Sequence, residues 1–197
     1  MREISMFFPA YNEEENIPKL IESADKVLNK TADKYEIVIV VYEGSTDNSI
    51  KVVMDYEKTN KNVRLVIQPN GKKGMGTALK MGFEAAKYPL IFYADSDNQF
   101  DLEEFNKFIP YIDDYDIIAG YRIKRRDPGS RIITAKIYNA IVRTIFRTKE
   151  RDMDCAFRLV KKKIFDKIQL MCKTGLSTTE MLAKARRKGY KIKSMPI

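Results

Sequence analysis

The sequence predicts an α/β fold with a mostly parallel central sheet flanked by helices, in a single domain over residues 1–197. Three observations carry that reading. Runs rich in aromatic and β-branched residues alternate with helix-length amphipathic segments, the pattern of parallel strands joined by right-handed crossovers. The polar loops near 9–13, 43–47, 70–74 and 95–99 all follow strands, so they converge on the carboxyl edge of the sheet, where open α/β folds bind ligands. A chain of 197 residues is also long enough for one domain with a substantial core.

In order, residues 3–8 form a first strand that stops at Pro9. The loop from Pro9 to Glu13 opens a helix, with Glu13, Glu14 and Glu15 expected in its first turn, at the positive end of its dipole. Residues 35–42 are the clearest strand, followed by the turn Glu43-Gly44-Ser45-Thr46-Asp47 and a helix to about Lys58. Residues 63–67 are a third strand, and the Gly/Lys loop 70–76 leads into a helix through Ala86. The fourth strand, 90–94, runs into Asp95-Ser96-Asp97-Asn98-Gln99, and Asp101 then stands as the N-cap of a helix near 101–112. A strand at 116–120 and a basic loop, 121–131, come next.

Residues 131–147 read as a helix whose apolar face covers more than half its circumference, leaving a narrow basic strip of Lys136, Arg143 and Arg147. A packed core helix and a helix partly sunk in a bilayer surface both fit that pattern. The remainder gives a strand at 157–161, helices near 162–171 and 178–188, and a last strand from Tyr190 to Met195.

Charge is segregated. Residues 1–120 carry 14 Lys/Arg against 21 Asp/Glu, whereas residues 121–197 carry 22 against 6. That split reads as an anion-seeking second half, the anion being nucleic acid, lipid headgroups or substrate phosphates. Nucleic acid is the poorest of these, because basic motifs interleaved with aromatics are missing. Cys155 and Cys172 are too few for a disulfide framework, and with no signal-peptide pattern a reducing, cytosolic setting is expected.

Carboxylate and amide oxygens crowded at a strand's carboxyl end suit a hard divalent cation such as Mg²⁺ or Mn²⁺. The alternative is a turn in which Asp95, Asp97 and Asn98 satisfy local backbone donors. Lys72 and Lys73, on a glycine-bracketed loop, are either phosphate ligands or an exposed basic turn; the P-loop ending is absent. The chain has no histidine, which removes the commonest general base. A phosphate monoester needs no base, being largely a dianion at pH 7, and arginine forks suit it.

The motifs in sequence resemble the family 2 inverting glycosyltransferases of the GT-A fold. Phe8 to Ile17 is similar to their opening, Glu43 to Ser49 to their second loop, Asn70 to Leu79 to their third and Asp95 to Gln99 to their metal loop. Gly120-Tyr121-Arg122, Arg131 with Asn139, Asp152 to Arg158, Thr179 to Leu182 and Gly189 to Ile197 resemble the polyprenyl-phosphate branch, which includes dolichol-phosphate mannose synthases.

The resemblance implies hexose transfer from a nucleotide-diphosphate sugar to a polyprenyl or dolichyl phosphate, with inversion. By it, Asp97 and Gln99 hold the metal, with Asp95 nearby on the ribose or the metal. Pro9, Ala10, Tyr11, Glu13, Glu43, Ser45 and Ser96 frame the nucleotide, with Lys72 and Lys73 on its phosphates. Arg122, Arg131 and Arg158 hold the acceptor phosphate, with Asp152 orienting one of them or the sugar. Residues 1–120 then bind the donor, and residues 121–197 bind the acceptor at the cytoplasmic face of a membrane.

Tyr42 stands where the family usually has an acidic residue, Ala156 where it usually has Gly, and Ala135 where the branch often has Ser. Relatives continue past the Pro196-Ile197 pair, so further residues beyond Ile197 are expected. Transfer to a sugar hydroxyl, and a binding module without turnover, are the competing readings.

Overall fold

The structure is a computed structural model, described over residues 1–123, 152–153 and 155–197. Its centre is a seven-stranded sheet made of β1 (Glu3–Ala10), β2 (Lys34–Tyr42), β3 (Val63–Gln68), β4 (Leu90–Ala94), β5 (Ile117–Tyr121), β6 (Phe157–Lys161) and β7 (Ile192–Pro196), in the order β3-β2-β1-β4-β6-β5-β7. The first four pair in parallel, as the crossover pattern requires. β6 alone runs against its neighbours, antiparallel to both β4 and β5, and β7 is parallel to β5.

Both faces of the sheet are covered, which is why β1 and β2 are buried along almost their whole length rather than at alternate positions. Alternation decides the face instead: Ile4, Met6 and Phe8 enter one core, and Phe7 enters the other. The first core is closed by α1 (Ile17–Thr31), whose Ile17, Leu20, Ile21, Ala24, Val27 and Leu28 repeat at helical spacing, with Val53 of α2 (Ser49–Thr59) beside it. The second core lies under α3 (Met75–Ala85) and α4 (Ser177–Arg187).

Three helical expectations are corrected. Glu13, Glu14 and Glu15 precede α1 rather than filling its first turn, because Pro18, which has no N–H to give, occupies that turn. Residues 101–112 form two 3₁₀ turns, Leu102–Lys107 and Ile109–Tyr111; Pro110 cannot donate to the i−4 carbonyl and disfavours α geometry at Ile109. Asp101 still caps this segment, its carboxylate accepting from Glu103 N at 2.9 Å. The segment 162–171 is helical only as a 3₁₀ turn, Lys162–Asp166; beyond it the backbone N–H groups of Met171 and Cys172 bond to the Glu180 carboxylate instead of to a helix. The expected helix at 131–147 lies outside the described residues.

At the amino edge of the sheet Glu36 is buried and fully engaged. It accepts from Ser5 Oγ at 2.6 Å, Lys87 N at 2.6 Å and Arg64 Nη2 at 2.9 Å. This edge holds a satisfied charge.

Candidate active site

The carboxyl edge is different. Its loops are laced to one another by side chains rather than by strands. Asn12, in a left-handed backbone at φ 56°, accepts from Thr46 N at 2.8 Å and donates to Thr46 Oγ1 at 3.2 Å. Asp47 accepts from Glu14 N, and Glu14 accepts from Asn48 N, so the first two loops bracket each other. Glu13 N donates to Ser49 Oγ at 2.9 Å. The fourth loop joins them through Asn98, which donates to the carbonyl of Asn16.

Between these loops lies a cleft of about 360 Å³, within the range of small-molecule sites. Of the residues expected there, Pro9, Ala10, Tyr11, Glu13, Lys73, Asp95, Ser96 and Asp97 line it. Lys73 Nζ sits 4.2 Å from the centroid of the Tyr11 ring and 5.6 Å from that of Tyr42. The two rings stand 5.8 Å apart at 60°, making an aromatic corner with a cation over it.

The floor is acidic. Asp95 is pushed up to about 6, chiefly by burial and next by the Asp97 charge, against which the Arg122 and Arg158 charges pull down. Among the described residues no hydrogen bond or ion pair meets the Asp95 carboxylate. Asp97 accepts, among the described residues, only from Gln99 N, at 3.1 Å. Two carboxylates crowded together with so little compensation fit a hard divalent cation, with Asp95 and Asp97 as its protein ligands. Among the described residues no group of three or more His, Cys, Asp or Glu would hold a metal unaided.

Other expected residues stand elsewhere. Glu43 turns its carboxylate to Asn70 N, at 2.7 Å, and braces the glycine loop. Ser45 Oγ faces Asn12 N at 3.5 Å. Lys72 and Gln99 are exposed and do not line the cleft. Arg122 Nε donates to Asp152 at 3.1 Å, so Asp152 pairs with Arg122 and not with Arg158. Arg158 is fully buried on β6, beside Tyr93 of β4 in the sheet register. Its guanidinium donates to Tyr93 Oη at 3.3 Å and to the carbonyls of Thr178 at 3.0 Å and Met153 at 2.6 Å. Its described partners are thus protein groups beneath the cleft, where an acceptor-facing arginine was expected. Arg131 and Asn139 lie outside the described residues.

Sequence reasoning missed Tyr42, Gln68 and Met75 as lining residues. Tyr42 and Gln68 are register partners at the ends of β2 and β3, and that end position was the available signal. Gln68 donates its amide to the carbonyls of Lys72 at 2.6 Å and Gly74 at 3.1 Å, shaping the glycine loop from below. Gly74 and Gly76 let that loop meet the segment after β6: a Cβ on Gly76 would fall 2.1 Å from Ser177 Oγ and 2.4 Å from the Cys172 carbonyl.

Residues 5–169 match the family described as glycosyl transferase family 2. The chain belongs to that family. This family 2 glycosyltransferase is 29% identical, over 167 residues, to undecaprenyl-phosphate 4-deoxy-4-formamido-L-arabinose transferase of Proteus mirabilis, covering 84% of this chain and 51% of the relative. It therefore spans about half the length of that curated protein. In fold it is similar to glucosyl-3-phosphoglycerate synthase of Mycobacterium tuberculosis. The crystal structure of that protein with Mn²⁺, uridine diphosphate and phosphoglyceric acid gives a TM-score of 0.76 at 18% identity, covering 99% of this chain and 68% of that one. Its complex with Mg²⁺ and uridine diphosphate gives 0.74 at 18%, covering 99% and 69%. The likeness bears out the GT-A fold expected of the family 2 glycosyltransferase.

Proposed function

We propose that this chain transfers a hexose from a nucleotide-diphosphate sugar to a polyprenyl or dolichyl phosphate, with inversion, using Mg²⁺ or Mn²⁺. The observation that carries the proposal is the cleft itself: two under-compensated carboxylates, Asp95 and Asp97, on the floor beneath the Tyr11/Tyr42 corner and Lys73. In this reading Tyr11 and Tyr42 stack on the nucleoside, and Lys73 leaves the aromatic corner for the diphosphate. The divalent ion, when bound, supplies charge neutralisation for the departing diphosphate. Arg122, held by Asp152, offers a fork to the incoming phosphate. Arg158 supports the floor through Tyr93, and its charge partly offsets the burial that pushes Asp95 up. Residues 1–120 are the donor half and residues 121–197 the acceptor half.

A lipid acceptor implies contact with a membrane. No helix among the described residues is long and apolar enough to cross one, so contact from the surface is proposed, at its cytoplasmic face. Met171 and Leu176 are exposed on the segment that meets the glycine loop, with Lys173 between them, a composition suited to an anionic bilayer surface.

Melting temperature measured with uridine- and guanosine-diphosphate sugars, with and without Mn²⁺, tests the donor half. A rise that requires both nucleotide and ion is expected, because ligands that bind only the native state raise its melting point. Product formation with polyprenyl phosphate against free glycans then tests the acceptor. Absence of any metal-dependent shift would sink the donor assignment, and turnover with glycans alone would replace the acceptor.

A further inference from the structure

Asn98 sits at the crown of the acidic loop with φ 55°, a left-handed backbone that glycine adopts most easily and asparagine next. The turn alone would therefore be met by glycine, and the amide needs a separate reason. Its bonds are not local. Asn98 Nδ2 donates to the carbonyl of Asn16 at 3.1 Å and to Asn16 Oδ1 at 3.2 Å, across 82 residues of sequence. Asn16 Nδ2 in turn donates to Glu13 Oε2 at 2.6 Å. Glu13 lines the cleft with Asp95 and Asp97. An unbroken line of hydrogen bonds thus runs from the crown between Asp97 and Gln99 to a carboxylate of the first loop.

Each link has its direction fixed by chemistry. Glu13 as a carboxylate only accepts, so Asn16 must present its NH₂ to it, which leaves Asn16 Oδ1 facing Asn98 as an acceptor. Asn98 must then present its own NH₂, whose two donors meet the two Asn16 oxygens. We propose that Asn98 and Asn16 are positioning residues that lock the Asp97 loop and the Glu13 carboxylate into one fixed relation, so that cation and nucleotide meet a preformed site. This rests on the proposed use of a nucleotide with a divalent cation. Residues that orient ligands in this way are typically worth about 10–100-fold in metal affinity or activity.

The test is Mn²⁺ binding in the presence of uridine or guanosine diphosphate, followed by electron paramagnetic resonance, alongside thermal unfolding of the ligand-free protein. Asn98→Gly keeps the left-handed backbone and deletes the amide; it should weaken Mn²⁺ binding about tenfold with the melting temperature nearly unchanged. Asn16→Ala should do the same, and the double variant should lose no more than either single one. Asn16→Asp retains both oxygens facing Asn98 but repels Glu13, so it should keep more Mn²⁺ affinity than Asn16→Ala. Wild-type Mn²⁺ affinity in Asn98→Gly, or additive losses in the double variant, would overturn the inference and leave the proposed function standing. Failure of the wild-type protein to bind Mn²⁺ with either uridine or guanosine diphosphate would overturn both.

Discussion

The two edges of one sheet treat a carboxylate in opposite ways. At the amino edge Glu36 is enclosed by a serine hydroxyl, a backbone N–H and an arginine. At the carboxyl edge Asp95 has none of these among the described residues, and it holds its proton up to about pH 6. A buried charge left without partners is costly, and a fold able to satisfy Glu36 has no difficulty supplying donors. The difference teaches where the chain is built for itself and where it is built for something that arrives from outside.

The comparison breaks most sharply at Asp97. Asp97→Ala should lower sugar transfer roughly 1000-fold, the upper scale of deleting one electrostatic group from a site, and abolish metal-dependent nucleotide binding while circular dichroism and melting temperature stay as in the wild type. Full activity of this variant with chelator present would remove the metal assignment. Glu36→Ala should do the reverse, costing about 3 kcal/mol in denaturant unfolding by stranding Arg64, with unchanged nucleotide affinity per folded molecule.

Asp95 sharpens the contrast through pH. Its folded value, about 6, stands above its ordinary 3.8, so the folded protein holds this proton more tightly than the unfolded chain. Its contribution is therefore fully present below about pH 4 and lost as pH rises through 6, a fall of about 3 kcal/mol for the ligand-free protein. Asp95→Asn should abolish that fall and be more stable than the wild type at pH 8, while binding the cation less well. Stability that rises through this window in the wild type, and equally in the variant, would contradict the uncompensated charge. The smallest effect is expected at the buried Asp152: Asp152→Asn, which loosens Arg122, should raise the acceptor KM about tenfold with the donor KM unchanged.

How much of this was legible follows the same division. The first four strands and their loops were readable because each is a local unit: an apolar run, a polar turn and an amphipathic helix, whose parallel stacking leaves one edge for all the loops. Where local chemistry decided, as with Asp101 capping Glu103 N, the reading held. It was incomplete where a distant contact intervened. Glu43 was placed on the nucleoside, yet its long side chain reaches Asn70; nothing in either segment alone announces that bond. Arg158 was read as reaching for a phosphate because arginine usually does. Its burial follows from β6 lying inside the sheet, between β4 and β5, and periodicity along 157–161 carries no sign of a strand's place in the sheet. Asn16 was quoted only as part of a motif, since its partner Asn98 lies 82 residues on.

The place of β6 also has a consequence for how the protein is made. β4 ends at Ala94, but the strand that covers its outer side begins only at Phe157. While a ribosome adds the intervening residues, a nearly complete four-stranded half presents an open row of backbone donors and acceptors to solvent, and such rows invite pairing with other chains. Biosynthesis of this molecule should therefore be most exposed to misassembly in its middle third. Slowing or pausing translation after residue 157 has emerged should be far less harmful than pausing before it.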